Sequence, residues 1–321
     1  MALMEIKNLS SYYNTKVGYN QALDGFSLRL EEGEVLGLIG ESGCGKSTAA
    51  ISFMKMLQYP GEIISGEVLL AGKELFGLSE NELRRVLWKE IAMIPQSAMN
   101  ALDPCYKIGD QILEALHIHY PHLSKKEAKA RVFELLKMVG IDEKWFHSYP
   151  HKLSGGMKQR VVIAMALSCD PKVIISDEST TGLDVLIEAQ ILALLNKIKK
   201  ERGLSVIVIS HDLHMVTSIC TRVGIMYAGH LVELAGTEEI RKNPRHPYTR
   251  ALFASQIDVM NLGKKVQSIE GTVPNLVNPE KHCRFYSRCT RKDDSCREKK
   301  SPELLETEEG HYVACHRGDR L

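Results

Sequence analysis

The chain has 321 residues, 44% of them hydrophobic and 25% charged, with a formal net charge of +1. That length accommodates about two domains and a sizeable core. The balanced charge gives no footprint for nucleic acid, and no run approaches the ~18 uninterrupted apolar residues of a membrane span. Residues 1–13 lack the basic-then-apolar layout of a signal peptide. The expected compartment is therefore the cytoplasm, where eight cysteines argue for thiols, a metal or a cluster rather than a disulfide framework.

Taken in order, residues 5–9 read as a short strand and 11–14, which include Tyr12 and Tyr13, as a polar-aromatic loop. Phe26, Leu28 and Leu30 alternate with polar residues, the period of a half-buried strand. Residues 35–39 are apolar throughout, as in a strand buried on both faces. They run into Gly40-Glu41-Ser42-Gly43-Cys44-Gly45-Lys46-Ser47-Thr48, and a helical segment is expected over 48–57. This strand–loop–helix order is the context of a nucleotide-binding P-loop. Glycines let successive N–H groups turn onto a phosphate chain at a helix N-terminus that already favours anions. Lys46 supplies a charge for the β- and γ-phosphates, and the Ser47 hydroxyl can ligate Mg²⁺. Standing alone, the loop also fits a glycine-rich turn with a chance lysine.

Residues 65–72 suggest a strand closing on a turn. Residues 79–88 suggest a helix capped by Ser79 and Glu82. A strand over 91–95 ends on Gln96. The stretch of about 97–152 reads as a helical insertion, with helical spacing over 112–118 and 125–139, a Ser124–Glu127 capping box and Gly140 as a stop. A helix over 156–167 follows Leu153-Ser154-Gly155-Gly156. A buried strand over 173–176 ends in Asp177-Glu178, a helix spans 185–202, and a second buried strand, 205–210, leads to His211. Residues 223–227 and 230–234 form a hairpin over Ala228-Gly229. Strands alternating with helices give an α/β fold with a mainly parallel core, whose ligands bind beyond the strand C-termini. From Gly236 onward prolines punctuate a chain of little periodicity. The boundary is set there: 1–236 as the nucleotide-binding domain and 237–321 as a C-terminal extension.

The apolar strand ending in Asp177-Glu178 supplies a carboxylate for Mg²⁺ and, next to it and aimed differently, one that can polarise an attacking water. Ser154 with Gly155 and Gly156 at a helix start builds a second anion site. One chain has no need of two γ-phosphate cradles; two chains facing head to tail would each close over the other's ATP. Taken together and in order, the P-loop, Gln96, the Leu-Ser-Gly-Gly signature, Asp177-Glu178, Leu183-Asp184 and His211 resemble the ATP-binding subunit of an ABC transporter over about residues 3–236. The fold implied is a P-loop ABC-type domain with a helical insertion and an antiparallel β portion. By this resemblance Gly40, Ser42, Gly43, Cys44, Gly45, Lys46, Ser47 and Thr48 hold ATP. Tyr13 stacks on adenine, with Tyr12 the runner-up. Ser47, Gln96 and Asp177 hold Mg²⁺, and Gln96 also reaches the attacking water. Glu178 is the catalytic carboxylate and His211 the γ-phosphate switch. Ser154, Gly155, Gly156 and Asp184 meet the partner chain's ATP. Ser179 stands where the family usually has proline, which is expected to loosen the loop that aims Glu178; Gly182 stands where alanine is common.

Ala98-Met99-Asn100-Ala101-Leu102-Asp103-Pro104 and Asn243-Pro244-Arg245-His246-Pro247-Tyr248-Thr249 resemble segments of dipeptide and oligopeptide importers, and Gly156-Met157-Lys158-Gln159-Arg160 is similar to the D-type ATPase of that group. The partners implied are a second ABC ATPase subunit, two transmembrane permease subunits and, indirectly, an extracytoplasmic solute-binding protein. The place implied is the cytoplasmic face of the membrane, held peripherally. Alternatives are an importer of nickel or another solute from the same group, or a soluble ABC-type ATPase acting on nucleic acid or ribosomes. The last usually carries two cassettes or a long coiled-coil insertion, and neither is evident in this sequence.

Cys283-x5-Cys289-x6-Cys296-x18-Cys315 gathers four thiols near the C-terminus. Four thiolates suit a [4Fe–4S] cluster or a tetrahedral Zn²⁺, and the spacing matches neither a bacterial ferredoxin run nor a Cys-x2-Cys knuckle. Resemblance to the C-terminal extension of the peptide importers implies the cluster, with Zn²⁺ as the alternative. His282, His311 and His316 could replace a thiol. Arg284, Arg288, Arg291 and Arg297 would offset a cluster's negative charge or form a solvated face.

Overall fold

The computed structural model describes residues 2–96, 101–179, 185–255 and 269–317. The chain divides into two compact units: residues 2–30, 35–76 and 209–321 form one, and residues 31–34 and 77–208 form the other.

The first unit is mostly β. Strands β1 (Ala2–Thr15), β2 (Gly18–Glu31), β4 (Gly61–Leu70) and β5 (Lys73–Glu74) make an antiparallel sheet in the order β2-β1-β4-β5. β1 runs well past residue 9, through the stretch expected to be a loop. A register shift at Ser10 lets Tyr12 and Tyr13 pair with Glu62 and Gly61 of β4, so the aromatic pair is carried on a strand. The second sheet of this unit contains β3 (Val35–Ile39), buried along its whole length as its apolar run requires. β3 pairs in parallel with β9 (Arg222–Tyr227), which pairs antiparallel with β10 (His230–Gly236). The hairpin turn has positive φ at both Ala228 and Gly229, 50° and 85°, the primed-turn geometry. The region beyond residue 236 reads as irregular in sequence, yet β11 (Leu305–Glu308) and β12 (His311–Val313) extend this sheet, with β12 alongside β10. α1 (Lys46–Phe53) follows β3, and α7 (Leu213–Ile219) packs on β3. The short α8 (Thr237–Lys242), α9 (Pro247–Ala254) and α10 (Ser295–Glu298) complete the unit. Phe285 anchors the C-terminal segment: it is 3% exposed, and its ring centroid lies 5.0 Å from that of Tyr227 and 5.5 Å from that of Tyr248.

The second unit holds parallel β6 (Ile91–Ile94) and β7 (Val173–Asp177), with β8 (Ser205–Ser210) beside β7. Its helices are α2 (Glu80–Val86), α3 (Ile108–His119), α4 (Lys125–Met138), α5 (Gly155–Ala166) and α6 (Val185–Arg202). The capping boxes read from sequence are both present, Ser79 with Glu82 and Ser124 with Glu127. α3, α4 and α5 pack on one another around Ile112, Leu116, Val132 and Leu135, all 0–1% exposed. Helices α3 and α4 of the expected insertion thus share their core with α5, which lies just beyond it.

Candidate functional site

The first unit carries the glycine-rich loop, residues 40–48, expected to bind phosphate. β3 delivers the chain to Gly40, and α1 starts after Gly45, whose φ of 104° is a left-handed value. A Cβ at Gly45 would stand 2.1 Å from the Ala22 carbonyl oxygen, and one at Gly40 would stand 2.2 Å from the Met226 carbonyl oxygen. The motif's glycines are therefore fixed by close backbone approach as well as by loop geometry. No side chain caps α1, so its first N–H groups are left to the loop. Lys46 is 5% exposed, and its ammonium is centred on the loop by the Gly40 carbonyl at 2.7 Å and the Glu41 carbonyl at 3.1 Å. Burial pushes the Cys44 thiol up, against the opposing pull of Lys46. The hydroxyls of Tyr13 and Thr48 lie 3.3 Å apart, which sets Tyr13 at the head of α1. Tyr12 instead donates to Asp24 at 2.8 Å. His211 is exposed immediately after β8 and belongs to this unit.

The second unit carries the strand-end carboxylates. Asp177 closes β7 at 3% exposure. Glu178 follows with φ of 42°, a left-handed value that costs a non-glycine residue of order 1 kcal/mol and persists only where surroundings enforce it. Gln96, just beyond β6, donates from Nε2 to Glu178 Oε2 at 2.7 Å. Two residues 82 apart in sequence are thereby joined. Ser179 behaves otherwise than expected. It is 7% exposed and its hydroxyl lies 2.6 Å from that of Ser176, so the serine ties the turn back to β7 instead of loosening it. Ser154 is the N-cap of α5, its hydroxyl accepting from the Met157 amide at 3.3 Å, with Gly155 and Gly156 in the first turn. Asp184 lies outside the described residues, as do residues 98–100 of the loop after Gln96 and Gly182.

The four C-terminal cysteines come together. Cys283, Cys289, Cys296 and Cys315 line one cavity, joined by Phe285 and His316. Burial pushes the Cys283 thiol up to about 12, with the three neighbouring thiols adding to the rise. As they stand, no three His, Cys, Asp or Glu side chains among the described residues converge closely enough to hold a metal ion. The expectation for the arginines divides. Arg291 lines the thiol cavity, but Arg284 and Arg288 turn toward the P-loop side, where Arg284 pairs with Asp24 at 2.7 Å and Arg288 with Glu41 at 2.9 Å. Sequence reasoning missed this because each arginine's partner is more than 200 residues away. It also missed His246, which lines the same cavity and is 2% exposed, with burial holding its pKa down to about 4.

Residues 23–181 match the ABC transporter family, and residues 232–296 match the oligopeptide/dipeptide transporter C-terminal region. The chain is 44% identical to the oligopeptide transport ATP-binding protein OppD of Bacillus subtilis over 97% of this chain and 87% of that protein. It is 37% identical to the dipeptide transport ATP-binding protein DppD of Escherichia coli over 98% of this chain and 97% of that protein. Among solved structures, the dimeric bacterial ABC transporter cassette MJ0796 superposes with a TM-score of 0.66 at 28% identity, covering 73% of this chain and 98% of that one.

Proposed function

We propose, from the premise that this chain belongs to the ABC transporter ATP-binding family and is an ATPase of that family, that its ATP hydrolysis powers import of dipeptides or oligopeptides across the cytoplasmic membrane through permease subunits. The observation that carries the reading is end-to-end likeness to two peptide-transport ATP-binding proteins, C-terminal region included.

The residues divide the work as follows. Lys46 and the N–H groups at the start of α1 receive the phosphates, and Tyr13 stacks on adenine. Glu178 polarises the attacking water, held in aim by Gln96 and by the Ser176–Ser179 bond. His211 meets the γ-phosphate. Ser154 and the first turn of α5, with Asp184, complete the ATP site of a second ATPase chain. Ser47, Gln96 and Asp177 offer the oxygen donors that suit Mg²⁺, which would neutralise developing phosphate charge.

Residues 1–236 are taken as the ATPase part and 237–321 as the extension. The four thiols of the extension line one cavity with Arg291, Lys292 and Arg317 on its wall, cations that would offset the charge of a thiolate-bound group, although as placed no three of the thiols converge closely enough to hold a metal ion. A [4Fe–4S] cluster is the favoured occupant and Zn²⁺ the alternative. Anaerobic purification with iron, sulfide and zinc analysis separates the two.

For the permease, the second unit offers an open groove of about 800 Å3 lined by Tyr106, Asp110, Glu114, His117 and Ile118. Tyr106 and Ile118 are 60% and 65% exposed, large apolar surfaces that a partner would cover. Among the described residues no helix is long and apolar enough to cross a membrane. A peripheral place at the cytoplasmic face follows from docking on such partners, and a solute-binding protein would deliver the peptide outside. The test is uptake of labelled di- and oligopeptides by vesicles carrying the assembled complex. ATP-dependent peptide uptake supports the reading. Uptake of nickel alone would move the substrate to the sister group, and co-purification with ribosomes or nucleic acid instead of permeases would overturn it.

A further inference from the structure

We propose that the region bearing the four thiols braces the phosphate-binding loop, and that Arg288 is a positioning residue setting nucleotide affinity through Glu41. This rests on the nucleotide-binding reading above. Arg288 immediately precedes Cys289, and its long charged side chain is only 5% exposed. Its two terminal nitrogens meet the two carboxylate oxygens of Glu41 at 2.9 and 3.2 Å, the fork geometry that matches guanidinium to carboxylate. The rest of the guanidinium is fixed from its own side, with Nε donating to the Glu270 carbonyl at 2.9 Å and Nη2 to that of Ile269 at 3.3 Å. Its carbon lies 5.7 Å from the Tyr227 ring centroid.

Glu41 is the second residue of the loop, and the loop depends on its backbone. Its N–H donates to the Tyr248 hydroxyl at 3.1 Å, while its carbonyl accepts from the Cys44 amide at 3.2 Å and from the Lys46 ammonium at 3.1 Å. A line of direct contacts thus runs from Cys289 through Arg288 and Glu41 to the phosphate-binding lysine. A second line reaches the far side of the loop. Arg284, next to Cys283, donates to the Ala228 carbonyl at 2.5 Å, and the adjacent Gly229 amide donates to the Cys44 carbonyl at 2.8 Å. Two of the four cysteines are each chain-adjacent to one of these arginines: Arg288 pairs with the loop directly, and Arg284 holds the turn whose Gly229 amide bonds the loop.

The sign of the effect follows from charge. A carboxylate in an anion-binding loop repels a triphosphate, and Arg288 cancels that charge while holding the loop. Without Arg288, Glu41 is left uncompensated beside the phosphates. Removing the carboxylate as well should relieve most of the penalty, an outcome that loss of packing alone would not give.

The experiment titrates a fluorescent ATP analogue onto the full chain at low ionic strength. Arg288→Gln should weaken binding about tenfold, the scale of a coupled charge pair, and Arg288→Gln with Glu41→Gln should return to within about threefold of wild type. Cys289→Ser should weaken binding in the same direction, with no further loss when added to Arg288→Gln; if it does not fold, the arginine and glutamate variants still decide. Wild-type affinity in Arg288→Gln, or a double variant as weak as the single, overturns the proposal. Failure of the wild-type chain to bind nucleotide would instead overturn the reading on which it rests.

Discussion

Replacing Arg284 by methionine keeps the aliphatic stem and removes only the guanidinium, which makes the loss calculable. Arg284 is 8% exposed. Its Nη1 donates to the carbonyls of Ala228 at 2.5 Å and Gln21 at 3.2 Å, and its Nη2 to Gln21 Oε1 at 2.6 Å and Asp24 Oδ2 at 2.7 Å. Asp24 keeps the Tyr12 hydroxyl and His230, but two carbonyls and one side-chain amide lose a donor where the backbone closes over them. Hydrogen bonds from a charged donor contribute about 1.5–3 kcal/mol and breaking a buried pair costs about 3–5 kcal/mol. Because Asp24 retains partners and some exposure, about 3 kcal/mol is expected. The assay is urea denaturation followed by circular dichroism, reading the shift in midpoint at constant slope. Adding Asp24→Asn should cost less than the two single losses combined, since the pair is coupled. A midpoint within about 0.5 kcal/mol of wild type would refute the account of how the C-terminal region is held, since that is what an ordinary surface substitution costs.

Two further outcomes follow from the same geometry. The His230 hydrogen bond, with the Arg284 guanidinium and the Tyr12 hydroxyl, holds Asp24 down to about 2 from the ordinary 3.8, against the opposing effect of burial. A depressed carboxylate contributes fully above the unfolded value and loses its contribution as pH falls through the folded one. Between pH 4 and 2 the wild type should therefore lose about 1–2 kcal/mol, discounted for partial exposure, that Asp24→Asn does not lose; parallel stability curves would contradict this. Tyr13→Ala should weaken ATP binding about tenfold, whereas Tyr13→Phe, which keeps the ring and loses only the bond to Thr48, should bind nearly as wild type. An equal loss in both variants would show that the hydroxyl, not the ring, is what the site uses.

The sequence makes legible whatever rests on local pattern. The buried runs at 35–39, 173–176 and 205–210, the two capping boxes and the turn at Ala228-Gly229 follow from period, cap chemistry and turn residues over a few positions. Nothing local to Gln96 or Glu178 names the other; the parallel pairing of β6 with β7 brings their strand ends together. β1 was obscured at Ser10-Ser11, where a register shift breaks the alternation that marks a strand. β11 and β12 carry too little apolar residue to signal themselves, and they gain their pairing from β10. Chain adjacency points Arg284 and Arg288 toward the thiols, since each sits beside a cysteine in sequence. Their partners, Asp24 on β2 and Glu41 in the glycine-rich loop, are supplied by folding of the C-terminal segment onto these elements.

The most direct test of the whole account is single-turnover ATP hydrolysis by Glu178→Gln beside ATP binding by the same protein. The amide keeps the size of the side chain and an oxygen to accept from Gln96, so the turn and the nucleotide site should stay intact. Loss of a group that activates the attacking water should lower hydrolysis about 100-fold or more with ATP affinity unchanged. Hydrolysis within a few fold of wild type would contradict the assignment of Glu178 and, with it, the reading of the β7 terminus as the catalytic edge of the site.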